Sequence, residues 1–156
     1  MENGLVDLST GTLIVDNKKV SIGMTLEEVL NTFDKIKSRS QFINKEKQNC
    51  TNICLFTYNI YNIPAETRIF LHDEVVYKIF VSFDANDTVI DIFDENLNHY
   101  KEKAIQTVKN LRNIIKDQYS NIIDYENGFY IIENNYKLNI MMDKFLMECS
   151  ANIEKE

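Results

Sequence analysis

Glycine and proline are scarce in this chain, with four and one in 156 residues, and tryptophan is absent. The connections must therefore be made by Asn, Asp and Ser, whose short polar side chains favour turn backbone. No stretch approaches the ~20 apolar residues that a membrane-spanning helix requires, which argues against a membrane partner. Met1-Glu2-Asn3-Gly4-Leu5 has no cationic start followed by an apolar run, so no secretory leader is expected. Three cysteines cannot all pair within one chain, and free thiols in a reducing cytoplasm are the expectation.

What is present describes an ordinary globular chain: 44% hydrophobic and 26% charged residues. The length suits one domain over residues 1–156 with its own core. Acids outnumber bases 24 to 17, giving a formal charge of −7. A nucleic-acid binder displaces counterions with a basic surface, so nucleic acid is not the expected partner, and a basic macromolecule is.

Hydrophobic spacing gives the elements. Leu5–Ser9, Thr12–Val15 and Lys19–Ile22 read as short strands, turned by Gly11 and by Asp16-Asn17. In "VSIGMTLEEVL" (20–30), Thr25 and Glu28 form a capping box, and Leu26, Val29, Leu30 and Phe33 follow at helical spacing. A phosphate loop would need further glycines or a following Lys and Ser/Thr. Here Glu27 and Glu28 stand where an anion would approach, so the stretch is read as a capped helix start.

Residues 35–51, "KIKSRSQFINKEKQNCT", lack a sustained period and read as a solvated loop or a frayed helix extension. Three half-buried antiparallel strands are expected next. In 53–61 the core face is Cys54, Phe56, Tyr58 and Ile60. In 66–71 it is Thr67, Ile69 and Leu71, and in 75–83 it is Val75, Tyr77, Ile79, Val81 and Phe83. Residues 96–119 carry an apolar stripe through Leu97, Tyr100, Ala104, Val108, Leu111 and Ile115, the mark of an amphipathic helix lying on a sheet. Period two returns in Phe129–Glu133 and Tyr136–Met142 around the turn Asn134-Asn135. A last strand follows, with Phe145, Met147, Cys149 and Ala151 on one face. The fold class is α+β: mainly antiparallel sheet, one short helix (about 25–34) and one long amphipathic helix (about 96–119) packed on it.

Chemistry is thinly signalled. His72 stands beside Asp73 and Glu74 in an expected turn, and His99 lies beside the stripe of the long helix. No nucleophile motif such as G-x-S-x-G occurs, so no catalytic residue is assigned. Cys50 and Cys54 are spaced too widely for the usual zinc pair, and Cys54 and Cys149 fall on expected apolar faces. "DANDTVIDIFDE" (84–95) places Asp84, Asn86, Thr88 and Glu95 at calcium-loop positions. It has Val89 where that loop needs glycine, so no metal or cofactor is assigned. The same segment holds Asp84, Asp87, Asp91, Asp94 and Glu95 without a single Lys or Arg. A solvated loop feeding acids into a helix N-terminus accounts for such charge. An acidic contact patch, with Ile90 and Phe93 as apolar anchors, is the reading with a functional consequence.

The segment "LVDLSTGTLIVDNKKVSIGMTLEEVLNTF" (5–33) resembles the opening of small cytoplasmic immunity proteins that accompany bacterial polymorphic and contact-dependent toxins. In these an N-terminal hairpin leads through a Gly-x-Thr step into a short helix. The Gly23-Met24-Thr25 step is also similar to the helix start of outer-membrane assembly lipoprotein and β-lactamase-inhibitor folds. The first resemblance implies a cytoplasmic, non-enzymatic inhibitor that binds a cognate toxin, with a basic nuclease toxin expected from the charge. Asp84, Asp87, Ile90, Asp91, Phe93, Asp94 and Glu95 are the candidate contact residues. The alternative is a ligand-binding or enzymatic α+β domain with a pocket between sheet and long helix, using His72 or an inward carboxylate as acid–base group.

Overall fold

The computed structural model describes residues 3–83, 97–144 and 147–156. The chain begins with β1 (Leu5–Asp7), a single 3-10 turn (Leu8–Thr10), β2 (Thr12–Val15) and β3 (Lys18–Ser21), which form a three-stranded antiparallel sheet in that order. Helix α1 (Leu26–Thr32) follows. Thr25 Oγ1 accepts the Glu28 N–H and the Glu28 carboxylate accepts the Thr25 N–H, so the capping box forms as the sequence predicts.

Next come β4 (Ser38–Ile43), β5 (Asn49–Cys54), β6 (Tyr58–Ile60), β7 (Ile63–His72) and β8 (Val75–Phe83). Helix α2 (Leu97–Ile115) leads into β9 (Ile123–Tyr125), β10 (Gly128–Glu133), β11 (Tyr136–Asp143) and β12 (Glu148–Lys155). The large sheet runs β4-β5-β7-β8-β12-β11-β10-β9, with β6 alongside β7. Among the described residues every strand pairing in it is antiparallel. Two meanders, β4 to β8 and β9 to β12, thus meet where β12 pairs with β8. The fold is α+β and mainly antiparallel sheet.

Four hairpin turns place both central residues at positive φ: Asp16-Asn17, Tyr61-Asn62, Asp73-Glu74 and Asn134-Asn135. That backbone matches the right-handed twist of the flanking strands. The glycine-poor chain makes these turns mostly from Asn and Asp, as their tolerance of left-handed backbone allows.

One face of the large sheet is covered across its central strands, between the exposed edge strands β4 and β9. Ile53, Ile69, Leu71, Ile79, Val81, Phe83, Phe129, Ile131, Leu138, Ile140, Ala151 and Ile153 lie on it, all buried. They share one cluster with Leu8, Leu13, Val15 and Val20 of the N-terminal segment, with Val29 and Phe33 of the α1 region, and with Leu111 and Ile115 of α2. A polar clasp fixes β1 to the end of α2. Tyr119 Oη accepts the Leu8 N–H (2.8 Å) and donates to the Val6 carbonyl (3.1 Å). Tyr61 Oη accepts the Val6 N–H (3.1 Å) and donates to Gln118 Oε1 (3.0 Å). Burial pushes the Tyr61 phenol up to about 12, which keeps it a neutral donor.

The structure departs from the sequence reading in five places. The expected strand 5–9 ends at Asp7, where the 3-10 turn takes over. The expected last strand begins only at Glu148, since Met147 is a turn residue with positive φ, and Phe145 lies outside the described residues. Residues 38–43 and 49–54 are strands, not a loop or helix extension. The expected strand 53–61 is broken, and Ile53, Leu55 and Ile60 point to the core while Phe56 is exposed. In β8, Val76 rather than Val75 or Tyr77 is buried, because an irregularity at Phe70/Leu71 shifts the pairing by one residue.

Candidate binding surfaces

The expected contact residues Asp84, Asp87, Ile90, Asp91, Phe93, Asp94 and Glu95 lie outside the described residues, between β8 and α2. Three other surfaces are fully placed.

The largest is the second face of the nine-stranded sheet, which none of the described helices or the small sheet covers. Strand alternation sends every second residue there. One cross-strand row reads Cys54, Arg68, Phe80, Asn152, Asn139 and Tyr130. The row beside it reads Asn52, Phe70, Lys78, Glu154, Lys137 and Ile132. Most of these side chains are half-buried. Aromatic rings carry the cations: Lys137 Nζ stands 4.6 Å from the Tyr130 ring centre and Lys78 Nζ 5.7 Å from that of Phe70. His72 stacks on Tyr77 with ring centres 3.7 Å apart, at the β7–β8 end of the face.

Hydrogen-bonding capacity on this face is not exhausted. Asn52 Oδ1 and Asn152 Oδ1 are buried, and neither has a hydrogen-bond partner among the described residues. Buried acceptors in that state call for donors from solvent or a bound molecule.

Two carboxylates here are shifted in opposite directions. Glu66 is held below the usual range, first by the hydrogen bond from Lys37 Nζ at 2.9 Å, while its own burial works against that. Glu148 is pushed up, first by burial and further by Asp143 and Glu66 nearby. Glu148 and Asp143 are directly opposite across the β11–β12 ladder, a like-charge pairing that a sheet disfavours. Burial, followed by the contact with Glu66, pushes the Cys54 thiol up, so it stays protonated and poorly nucleophilic.

A second surface is a half-open groove of about 650 Å³ between α2 and the β9–β10 end of the sheet. Its floor includes Ile105, Val108, Phe129 and Met142, and Lys101, Lys109 and Lys144 stand at its rim. Arg112 and Asp124 close one side through a bidentate pair, at 2.6 Å (Nε to Oδ1) and 2.7 Å. That pair holds Asp124 below the usual carboxylate range and raises Arg112, so both remain charged. His72 is not among the groove's lining residues, so the expected pairing of that imidazole with a sheet–helix pocket does not occur.

The third surface is the free edge of β4, exposed at each of its six positions. Cys50, Cys54 and Cys149 are buried free thiols. Cys149 packs in the core as expected, whereas Cys54 faces Glu66 and Arg68 on the uncovered side. Among the described residues no group of three or more His, Cys, Asp or Glu side chains is placed to hold a metal ion. No helix among them is long and apolar enough to cross a membrane. Comparison of the chain with protein-family models, curated proteins and solved structures finds no match.

Proposed function

We propose that the chain is an immunity protein, which binds a cognate protein toxin stoichiometrically in the bacterial cytoplasm and neutralises it by occlusion. The observation that carries the reading is the sheet face that no described element covers, where half-buried aromatic and polar side chains lie beside acceptors without donors among the described residues. Such a surface supplies apolar anchors and buried polar groups, the mixture from which protein interfaces are built. The excess of acids, 24 against 17 bases, favours a basic partner such as a nuclease toxin, because opposite net charge speeds encounter. In this reading the long amphipathic helix packed on the sheet is scaffold. Asp84, Asp87, Asp91, Asp94 and Glu95 steer the approach, with Ile90 and Phe93 as anchors.

The test is co-expression with the C-terminal domain of the protein encoded by the adjacent upstream gene, which this reading requires to be toxic on its own. Rescue of growth together with a stoichiometric complex on gel filtration is the expected outcome. Reversing Asp84, Asp87, Asp91, Asp94 and Glu95 to lysine should slow association and flatten its salt dependence. Normal growth inhibition despite co-expression would rule the reading out.

The groove beside α2 favours a second reading, a ligand-binding domain whose pocket lies between sheet and long helix. Its volume of about 650 Å³ falls in the range of small-molecule sites. Native mass spectrometry of the purified protein separates the two, since a retained small molecule lost on Phe129→Ala would support the ligand reading.

A further inference from the structure

Strand β4 has an unusual combination of properties for an edge. Natural edges are blunted by shortness, bulges or cover, because their unpaired backbone is a template for another strand. β4 is six residues long and lies at the end of the sheet order. Phe42 and Ile43 are 57% and 69% exposed, the two largest values among the exposed large hydrophobic side chains.

The pairing phase fixes which backbone groups are free. The Asn44 N–H donates to the Gln48 carbonyl at 3.1 Å, in the same register that sets Phe42 opposite Cys50 and Ser40 opposite Asn52. Inward and outward bonding alternates along an antiparallel strand. The N–H and C=O groups of Arg39, Gln41 and Ile43 therefore point away from β5, to where a further strand would lie. Beside them, Gln41, Phe42, Ile43, Thr51 and Glu74 border a shallow cavity of about 330 Å³, large enough for a side chain of an added strand.

Charge selects the occupant. Within an acidic chain, residues 34–47 carry exposed Lys35, Arg39, Lys45 and Lys47 against exposed Asp34 and Glu46. A second copy fits poorly. Its own β4 carries Arg39 and is flanked by Lys35, Lys45 and Lys47, so pairing β4 with β4 brings two copies of the same basic segment together. Like charges directly opposite destabilise a sheet.

We propose that the β4 edge is a docking site for an extended acidic peptide segment of another protein, which adds to the large sheet as a further strand. Backbone bonds to Arg39, Gln41 and Ile43 supply the pairing. Carboxylates beside Arg39 and the flanking lysines supply selectivity, and apolar side chains cover Phe42 and Ile43. The proposal stands apart from the toxin reading, since it concerns one edge and needs no particular partner fold.

The probe is a short dye-labelled peptide alternating valine with glutamate, compared with one alternating valine with lysine. Fluorescence anisotropy should show saturable binding of the first, at least about tenfold tighter than the second at low salt. Hydrogen exchange should slow at the Arg39, Gln41 and Ile43 amides. Gln41→Pro removes an outward N–H while sparing the bonds to β5, as proline does on a strand edge, and should abolish binding. Arg39→Glu leaves the backbone intact and should weaken the acidic peptide while narrowing its advantage over the basic one. Equal affinity for the two peptides, no saturable binding of either, or affinity unchanged in both variants would each overturn the proposal. So would self-association that protects the same three amides.

Discussion

On the large sheet, residues one step apart along a strand live under different rules. Ile69 is fully buried, in one cluster with residues of the N-terminal segment and α2, whereas its neighbours Arg68 and Phe70 point to the side that no described element covers. The covered face is aliphatic and closely packed, so each side chain there bears on several others. The uncovered face is assembled from cation–aromatic pairs, amides and carboxylates, and its contacts are mostly between neighbouring strands. The contrast teaches that one set of strands can separate the work of holding the fold from the work of presenting a surface. Substitutions should therefore fall into two classes according to residue parity.

The sharpest way to break that comparison is to truncate one residue of each kind. Ile69→Ala should lose about 3–4 kcal/mol of stability in urea titrations, since it removes methylene groups from a site that cannot collapse. Phe80→Ala, on the face that no described element covers, should lose less, about 1–2 kcal/mol, despite removing a larger side chain, because that side chain is only partly buried. Equal losses would mean that the second face is structural too.

Next in size is the clasp that holds β1 over the covered face. Tyr119→Phe leaves the buried Leu8 N–H without its acceptor and should cost about 1–3 kcal/mol. Faster hydrogen exchange in β1 than in β8 would show that the cover loosens before the sheet.

Smallest are two carboxylates of the uncovered face, which should respond to pH with opposite signs. Glu66 has a lowered folded value, so its favourable contribution is present above its unfolded value of 4.5 and is lost as pH falls through the folded one. Glu148 has a raised folded value, so its contribution is unfavourable at neutral pH and disappears in acid. Glu66→Gln should then destabilise at neutral pH, and Glu148→Gln should stabilise slightly. Both differences should vanish well below pH 4.5, as thermal melts across that range would record.

Much of this architecture is legible in the residues. The alternation of Thr67, Ile69 and Leu71, and of Tyr136 to Met142, marks strands with one covered face, and Asn134-Asn135 marks the turn before the latter. The Thr25–Glu28 box marks the start of α1. β4 escapes because "SRSQFI" is exposed on both sides, so no alternation exists to be read. Cys54 and Phe56 mislead because the strand ends at Cys54, and Ile53 and Leu55 carry the burial instead. Val75 and Tyr77 mislead because a pairing irregularity adds one residue, which the hydrophobic pattern does not announce. The uncovered face is the least legible. Asn52, Phe80 and Asn152 have the composition of any solvent side, and only the fold reveals that no described element lies over them.

The hairpin turns bear on how to toughen this molecule. Asp73-Glu74 bends with φ of 46° and 66°, and Tyr61-Asn62 with 51° and 64°, yet neither pair contains the residue that takes such angles freely. Asparagine followed by glycine at 73–74 would relax the backbone, keep an acceptor for the Asn49 N–H, and remove the Glu74 side chain from the border of the cavity beside β4. Natural selection has left that headroom unused, and a protein engineer in want of a hardier version could begin there.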